Sequence, residues 1–214
     1  MPTIKAILFD FDGTLMDTNG VIIDSWNHTC ELNLGYRLPL EEIVSTFGVP
    51  LRPALEAHMP GADIEKAMAD YRGYQFSHPQ DIHMFEGVFD MLKAVKDRGY
   101  ILGIVTSRRW EGCPLDLYGF TEAAELFDII VSEENCTAHK PDPAPLLTAL
   151  EALQMRPDEV IYVGDSPFDI LCSRRAHVPV VLVGWSLCFP PEKATGELSA
   201  DWVIDKPSDL LDII

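Results

Sequence analysis

The chain has 214 residues, 47% of them hydrophobic and 23% charged, which suffices for one sizeable core or for one core plus a smaller unit. Its 34 acidic and 16 basic side chains leave a formal net charge of -18. Such a surface repels phosphate backbones and anionic lipid, so neither nucleic acid nor a membrane is an expected partner. An anionic substrate needs a metal or a local basic residue to invert the field at its site.

The five cysteines, Cys30, Cys113, Cys136, Cys172 and Cys188, are scattered, odd in number and form no Cys-x-x-Cys pair, which fits reduced thiols in a cytoplasmic protein. Met1-Pro2 lacks the charged start and apolar core of a signal peptide, and no apolar run approaches membrane-spanning length. In that setting the Asn-x-Thr triplets at Asn27 and Asn135 read as chance matches to a glycosylation acceptor.

Ile4, Ala6, Ile7, Leu8 and Phe9 predict a strand buried on both faces, ending in Asp10-Phe11-Asp12-Gly13-Thr14-Leu15. Val21, Ile22, Trp26, Thr29, Cys30 and Leu32 recur at helical spacing up to Gly35. Further helices are predicted from Pro39 towards Gly48, over Leu51 to Met59 and over Ile64 to Phe76. Nothing between Asp17 and His78 reads as a strand, so about sixty residues form a helical insert, with Met16 to Gly20 and His78 to Gly87 as its hinges. Past Gly87 the pattern alternates. Helices are expected at Val88 to Val95, near Pro114 to Tyr118, after Pro143 through Leu153, and from Phe168 to Ala176. Strands are expected at Ile101 to Val105, Ile129 to Val131, Val160 to Val163 and Val180 to Val183. Trp202 to Ile204 suits an edge strand and Leu210 to Ile214 a closing helix. This alternation predicts an α/β fold with a doubly wound parallel sheet, residues 1–16 and 83–214 making the core and 17–82 a small all-helical second unit.

In such a sheet, ligands bind beyond the carboxyl ends of the strands, near the point where strand order reverses. Three predicted strands end in polar residues: Asp10 and Asp12, then Thr106 and Ser107, then Asp165 with Asp169 a helical turn on. Lys140 precedes the helix that leads to the last of these strands. Carboxylates, a hydroxyl and a lysine suit a hard divalent cation and a phosphoryl group, with Mg²⁺ the natural ion and Mn²⁺ compatible with the same oxygens.

These motifs resemble those of the haloacid dehalogenase superfamily: Asp10-Phe11-Asp12-Gly13-Thr14-Leu15, Thr106-Ser107, Lys140-Pro141 and Gly164-Asp165-Ser166-Pro167-Phe168-Asp169, in that order. The insert resembles the family's cap in its simplest helical form. Phe47-Gly48-Val49-Pro50, Ala138-His139-Lys140-Pro141-Asp142-Pro143 and the tail from Lys206 are similar to the phosphoglycolate phosphatase group and its pyrophosphatase members.

The resemblance implies a Mg²⁺-dependent phosphatase acting on a small phosphorylated substrate. Asp10 is then the nucleophile that forms an aspartyl-phosphate, and Asp12 the general acid and base. Thr106, Ser107 and Lys140 hold the phosphoryl oxygens. Asp10, Asp165 and the main-chain carbonyl of Asp12 are the metal ligands, and Asp169 supports them from behind. A carboxylate at Asp12 favours phosphoester or phosphoanhydride chemistry over dehalogenation. Alternatives on the same fold are a sugar phosphomutase and a non-catalytic binding protein, and the oligomer is a monomer or a dimer. No cysteine is followed six positions on by arginine, and neither a P-loop nor a Gly-x-Ser-x-Gly elbow occurs.

Each residue also has a plainer reading. Asp169 suits a helix start, where the dipole favours a carboxylate. His139 reads as structural, and His28, Arg52, His58 and Tyr71 as surface or packing residues of the insert. Arg108 and Arg109 offer a second attraction for anions. Trp26, Trp110, Trp185 and Trp202 read as packing.

Overall fold

The computed structural model describes residues 3–110, 115, 119–136 and 138–214. Its main sheet has six strands: β1 (Ala6–Phe9), β4 (Ile101–Val105), β5 (Ile129–Val131), β6 (Val160–Gly164), β7 (Val180–Val183) and β8 (Trp202–Ile204). They lie in the order β5-β4-β1-β6-β7-β8, and every neighbouring pair is parallel. The chain runs outward from β1 to β5 and then returns to the other side of β1. Strand order therefore reverses between β1 and β6, whose carboxyl ends form the crevice.

The sheet forms where the sequence is apolar without alternation, because both faces are covered. In β1, Ile7 and Phe9 join one core cluster and Ala6 and Leu8 the other. The first face packs α5 (Val88–Asp97) through Val88, Met91, Leu92 and Val95, and the short α6 (Thr121–Ala124) through Ala123. The second packs α7 (Ala144–Leu153) and α8 (Pro167–Arg175). Gly103 in β4 has a local reason: a Cβ there would come within 2.5 Å of Leu8 and 2.7 Å of Ile129.

Between β1 and α5 lie four helices: α1 (Asn19–Leu34), α2 (Leu40–Val44), α3 (Leu51–His58) and α4 (Ile64–Ser77). They have a core of their own, in which Trp26, Cys30, Ile43, Leu55, Met59 and Ala67 are buried. Gly35 ends α1 at φ +78°, a left-handed cap only glycine adopts freely. The sequence predicts plain hinges on either side of these helices. Instead, β2 (Met16–Asp17) pairs antiparallel with β3 (His83–Met84), a ribbon too short to carry a periodic signal. The closing segment is a 3₁₀ helix over Pro207–Asp212, and the helix predicted near Pro114 to Tyr118 falls outside the described residues. No helix among the described residues is long and apolar enough to cross a membrane.

Candidate active site

β1, β4 and β6 deliver the site. Asp10 follows β1 directly, and its N–H donates to the Val163 carbonyl of β6 at 2.8 Å. The chain then turns back tightly, with the Leu15 and Met16 N–H groups both donating to the Phe11 carbonyl. Gly13 makes this turn at φ +77°, and a Cβ at that position would run into the Asp165 carboxylate. Asp165 follows β6, whose last residue is Gly164; a Cβ there would lie 2.5 Å from Asp169. Two glycines thus let three aspartates crowd together.

Lys140 organises the cluster. Its ammonium has three protons and three partners: Asp10 Oδ1 at 2.7 Å, Asp169 Oδ1 at 2.7 Å and the Tyr162 hydroxyl at 3.0 Å. Tyr162 in turn directs its proton towards Asp169 Oδ1 (2.9 Å) and the Val105 carbonyl (3.1 Å). The second oxygen of Asp169 accepts from the Ser166 hydroxyl at 2.6 Å and from the Ser166 and Asp165 N–H groups. Asp169 is fully buried with both oxygens occupied, so it positions Lys140 rather than facing a ligand. It also closes the capping box of α8, because its own N–H donates to Ser166 Oγ. Asp169 thus stands at the helix start, as its plainer reading has it, and the same carboxylate receives Lys140.

Asp10, Asp165 and Asp169 can each offer a carboxylate oxygen within 4.8 Å of the others'. Asp165 Oδ2 accepts from Ser186 Oγ at 2.5 Å, and the second oxygens of Asp10 and Asp165 carry no hydrogen bond among the described residues. Three buried carboxylates stand against one ammonium. Burial first, then the charges of Asp169 and Asp12, raises Asp10 to about 7 despite Lys140. Burial and the neighbouring Asp169 and Asp10 hold Asp165 well above the usual carboxylate range. Burial would lift Asp169 too, but Lys140 outweighs it and keeps the pKa low; the two aspartates in turn raise Lys140 against its own desolvation. The surplus negative charge and the two open oxygens fit a divalent cation between Asp10 and Asp165.

Asp12 lies apart from this cluster. Its carboxylate is held in a fork by Arg108, Nε to Oδ2 at 2.9 Å and Nη2 to Oδ1 at 2.6 Å. Burial raises its pKa, but the Arg108 guanidinium outweighs that and holds it below the usual range. Arg108, weighed from the sequence as an attraction for a second anion, is thus engaged with Asp12.

A cavity of about 710 Å³ opens above these groups, lined at its base by Asp10, Asp12, Thr106, Ser107, Lys140 and Asp165. The structure brings together every site residue that the sequence singles out, with Asp169 behind the base rather than on it. Of the doubtful residues, Arg52, Tyr71, Arg109 and His139 also line the cavity, whereas His28 packs on Tyr74 and His58 on Trp26. Trp26 does both: it is buried in the helical core and reaches the cavity wall. Tyr162 and Ser186 escape the sequence reading. A hydroxyl inside the apolar run of β6 is the only local hint of the first, and nothing local marks the second.

A family model described as haloacid dehalogenase-like hydrolase matches residues 7–183. The chain belongs to this family. Among related sequences, it is 38% identical over 212 residues to a protein of Caldanaerobacter subterraneus subsp. tengcongensis provisionally named pyrophosphatase PpaX, covering 99% of this chain and 94% of that one. It is 32% identical to the pyrophosphatase PpaX of Anoxybacillus flavithermus, covering 99% and 97%. Among solved structures, a protein of Lactobacillus plantarum provisionally named phosphoglycolate phosphatase superposes with a TM-score of 0.86 at 25% identity, over 99% of this chain and all of that one. The haloacid dehalogenase-like fold expected from the four motifs is the one observed, and the chain is a hydrolase of that family.

Proposed function

We propose that the chain is a Mg²⁺-dependent phosphatase that hydrolyses a small phosphorylated metabolite, of the phosphoglycolate or pyrophosphate kind, through an aspartyl-phosphate on Asp10. One observation carries this reading: a buried ammonium pins Asp10 at the base of a cavity, beside open carboxylate oxygens and with a second acid two residues on. The names of the relatives support the substrate kind. Mg²⁺, held by Asp10, Asp165 and the Asp12 main-chain carbonyl, would neutralise charge on the nucleophile and the phosphoryl group when bound.

The rest is the work of this chain's residues. A carboxylate oxygen of Asp10 attacks phosphorus as the bond to the leaving oxygen breaks, and Asp12 gives that oxygen a proton. Asp12, now a carboxylate, takes a proton from the water that attacks the same phosphorus, which frees Asp10 and inorganic phosphate. Thr106, Ser107 and Lys140 hold the non-bridging oxygens throughout. The Arg108 fork favours the ionised Asp12 that the second step needs. Binding of substrate has to open that fork before Asp12 can carry the proton of the first. Residues 17–82 act as a cap that moves on the β2–β3 ribbon over a core of 1–16 and 83–214, excluding bulk water on closure. The enzyme works in the cytoplasm, without nucleic acid or membrane partners.

The test is phosphate release from a panel including phosphoglycolate, pyrophosphate and hexose phosphates, with Mg²⁺ and then with chelator, for wild type and Asp10→Asn. Release that falls at least about a thousandfold on chelation and in the variant is the expected result. Undiminished turnover by Asp10→Asn overturns the nucleophile assignment.

A further inference from the structure

The cavity above Asp10 is far larger than inorganic pyrophosphate or a two-carbon phosphoester fills, and its upper wall has a character of its own. α4 turns one face towards it, with Met68, Tyr71, Arg72, Gln75 and Phe76 at spacings of three, four, seven and eight residues. α1 packs beside α4, with Trp26 edge-on to Tyr71, and adds Ile22 to the same wall. Phe76 is 54% exposed, so the apolar wall continues to the cavity mouth. A cavity of about 710 Å³ with a polar base and a largely apolar upper wall is of the size and kind that encloses an organic ligand.

Arg72 is the charged side chain that α4 brings to this wall, with Gln75 beside it. It is half-buried, and it makes no ion pair or hydrogen bond among the described residues. Its basic neighbours are all engaged: Arg52 with Glu65 at 2.5 Å, Lys66 with Asp70 at 2.8 Å, Arg108 with Asp12. In a chain with 34 acidic side chains, a guanidinium held unpaired against an apolar wall is matched to a charge that arrives with the ligand.

We infer that the leaving group of the substrate is an organic body with a flat apolar part, seated against the wall that α1 and α4 form together, and a second negative group that pairs with Arg72. This rests on the phosphatase reading of the Asp10 site and, among small phosphorylated metabolites, sets a larger organic acid ester against pyrophosphate and phosphoglycolate. The apolar part loses water against Ile22, Met68 and Phe76, and the far anion fixes its orientation, leaving the phosphoryl group over Asp10.

Non-hydrolysable phosphonates test this on the wild-type, Mg²⁺-loaded protein by calorimetry, alongside phosphate release from the panel above. Benzylphosphonate is expected to bind at least about tenfold tighter than methylphosphonate, with a more negative heat-capacity change. 4-Carboxybenzylphosphonate is expected to gain about tenfold more, and to exceed methylenediphosphonate and phosphonoacetate. Arg72→Gln should erase the gain from the carboxylate and leave the benzyl-to-methyl ratio within about twofold, while Arg72→Lys, which keeps the charge, retains part of it. The inference falls if methylenediphosphonate or phosphonoacetate binds as tightly as the carboxybenzyl compound. It also falls if Arg72→Gln weakens the benzyl and carboxybenzyl ligands equally. Phosphate release with pyrophosphate preferred would overturn this inference alone. No phosphonate binding and no release from any compound would overturn the phosphatase reading with it.

Discussion

Lys140 and its partners show what a buried charge demands of its surroundings. An ammonium with 5% exposure is stable only because three groups accept its three protons. Those groups bring more negative charge than one lysine offsets, and the excess falls on Asp10 and Asp165. This has a consequence in pH. Asp10 titrates near 3.8 when unfolded and at about 7 when folded, so folding favours its protonated form. That contribution is fully present below about pH 4 and is lost as pH rises through about 7, a loss on the order of a few kcal/mol. The thermal midpoint of metal-free wild type, measured against Asp10→Asn, should therefore fall across that range. Mg²⁺ should remove most of the fall. Parallel curves for the two proteins would mean that the crowding does not reach Asp10.

At the scale of one element, α8 ties helix stability to the site. Ser166 caps it, Pro167 starts it, Asp169 completes the capping box, and Arg174 and Arg175 lie in its last turn, where the dipole favours them. Because the same Asp169 carboxylate receives Lys140, the helix start also sets the position of that ammonium. Ser166→Ala removes the capping oxygen and one 2.6 Å bond to Asp169. It should cost about 1 kcal/mol in urea denaturation and lower kcat more than it raises KM. A stability loss with unchanged kcat would show that the cap and the site are separable. The four motifs were legible in sequence for a related reason. Three of the four lie where an unbroken apolar run such as Val160 to Val163 stops, and polar residues at the end of a buried parallel strand stand out; Lys140-Pro141 lies instead between β5 and α7. β2 and β3 were not legible, because two residues carry no period.

For the whole molecule, the four inserted helices bury their own apolar residues while the sheet carries two further clusters, one on each face. In the β2–β3 ribbon, Asp17 pairs with His83 as the last rung before the chain leaves for the helices. Replacing residues 18–82 by Asn-Gly should close that rung with a two-residue hairpin turn and leave the core folded. Circular dichroism should then show a cooperative α/β transition, and slow Mg²⁺-dependent hydrolysis of a chromogenic phosphate monoester should persist while selection among organic phosphates is lost. An unfolded product would mean that core and insert are one cooperative unit.

By itself the sequence determined the parallel sheet and the place of the helical insert, and it singled out Asp10, Asp12, Thr106, Ser107, Lys140 and Asp165, which the fold brings to one cavity base. Buried strands and strand-end motifs are written locally, in runs of a few residues. Only the tertiary structure decided that Arg108 grips Asp12 across 96 positions, that Tyr162 and Ser186 support the aspartates, and that Arg72 stands alone in the cavity wall. Those relations join side chains from different elements, and hydrogen bonds between distant segments follow from how the strands and helices assemble rather than from any local pattern of residues.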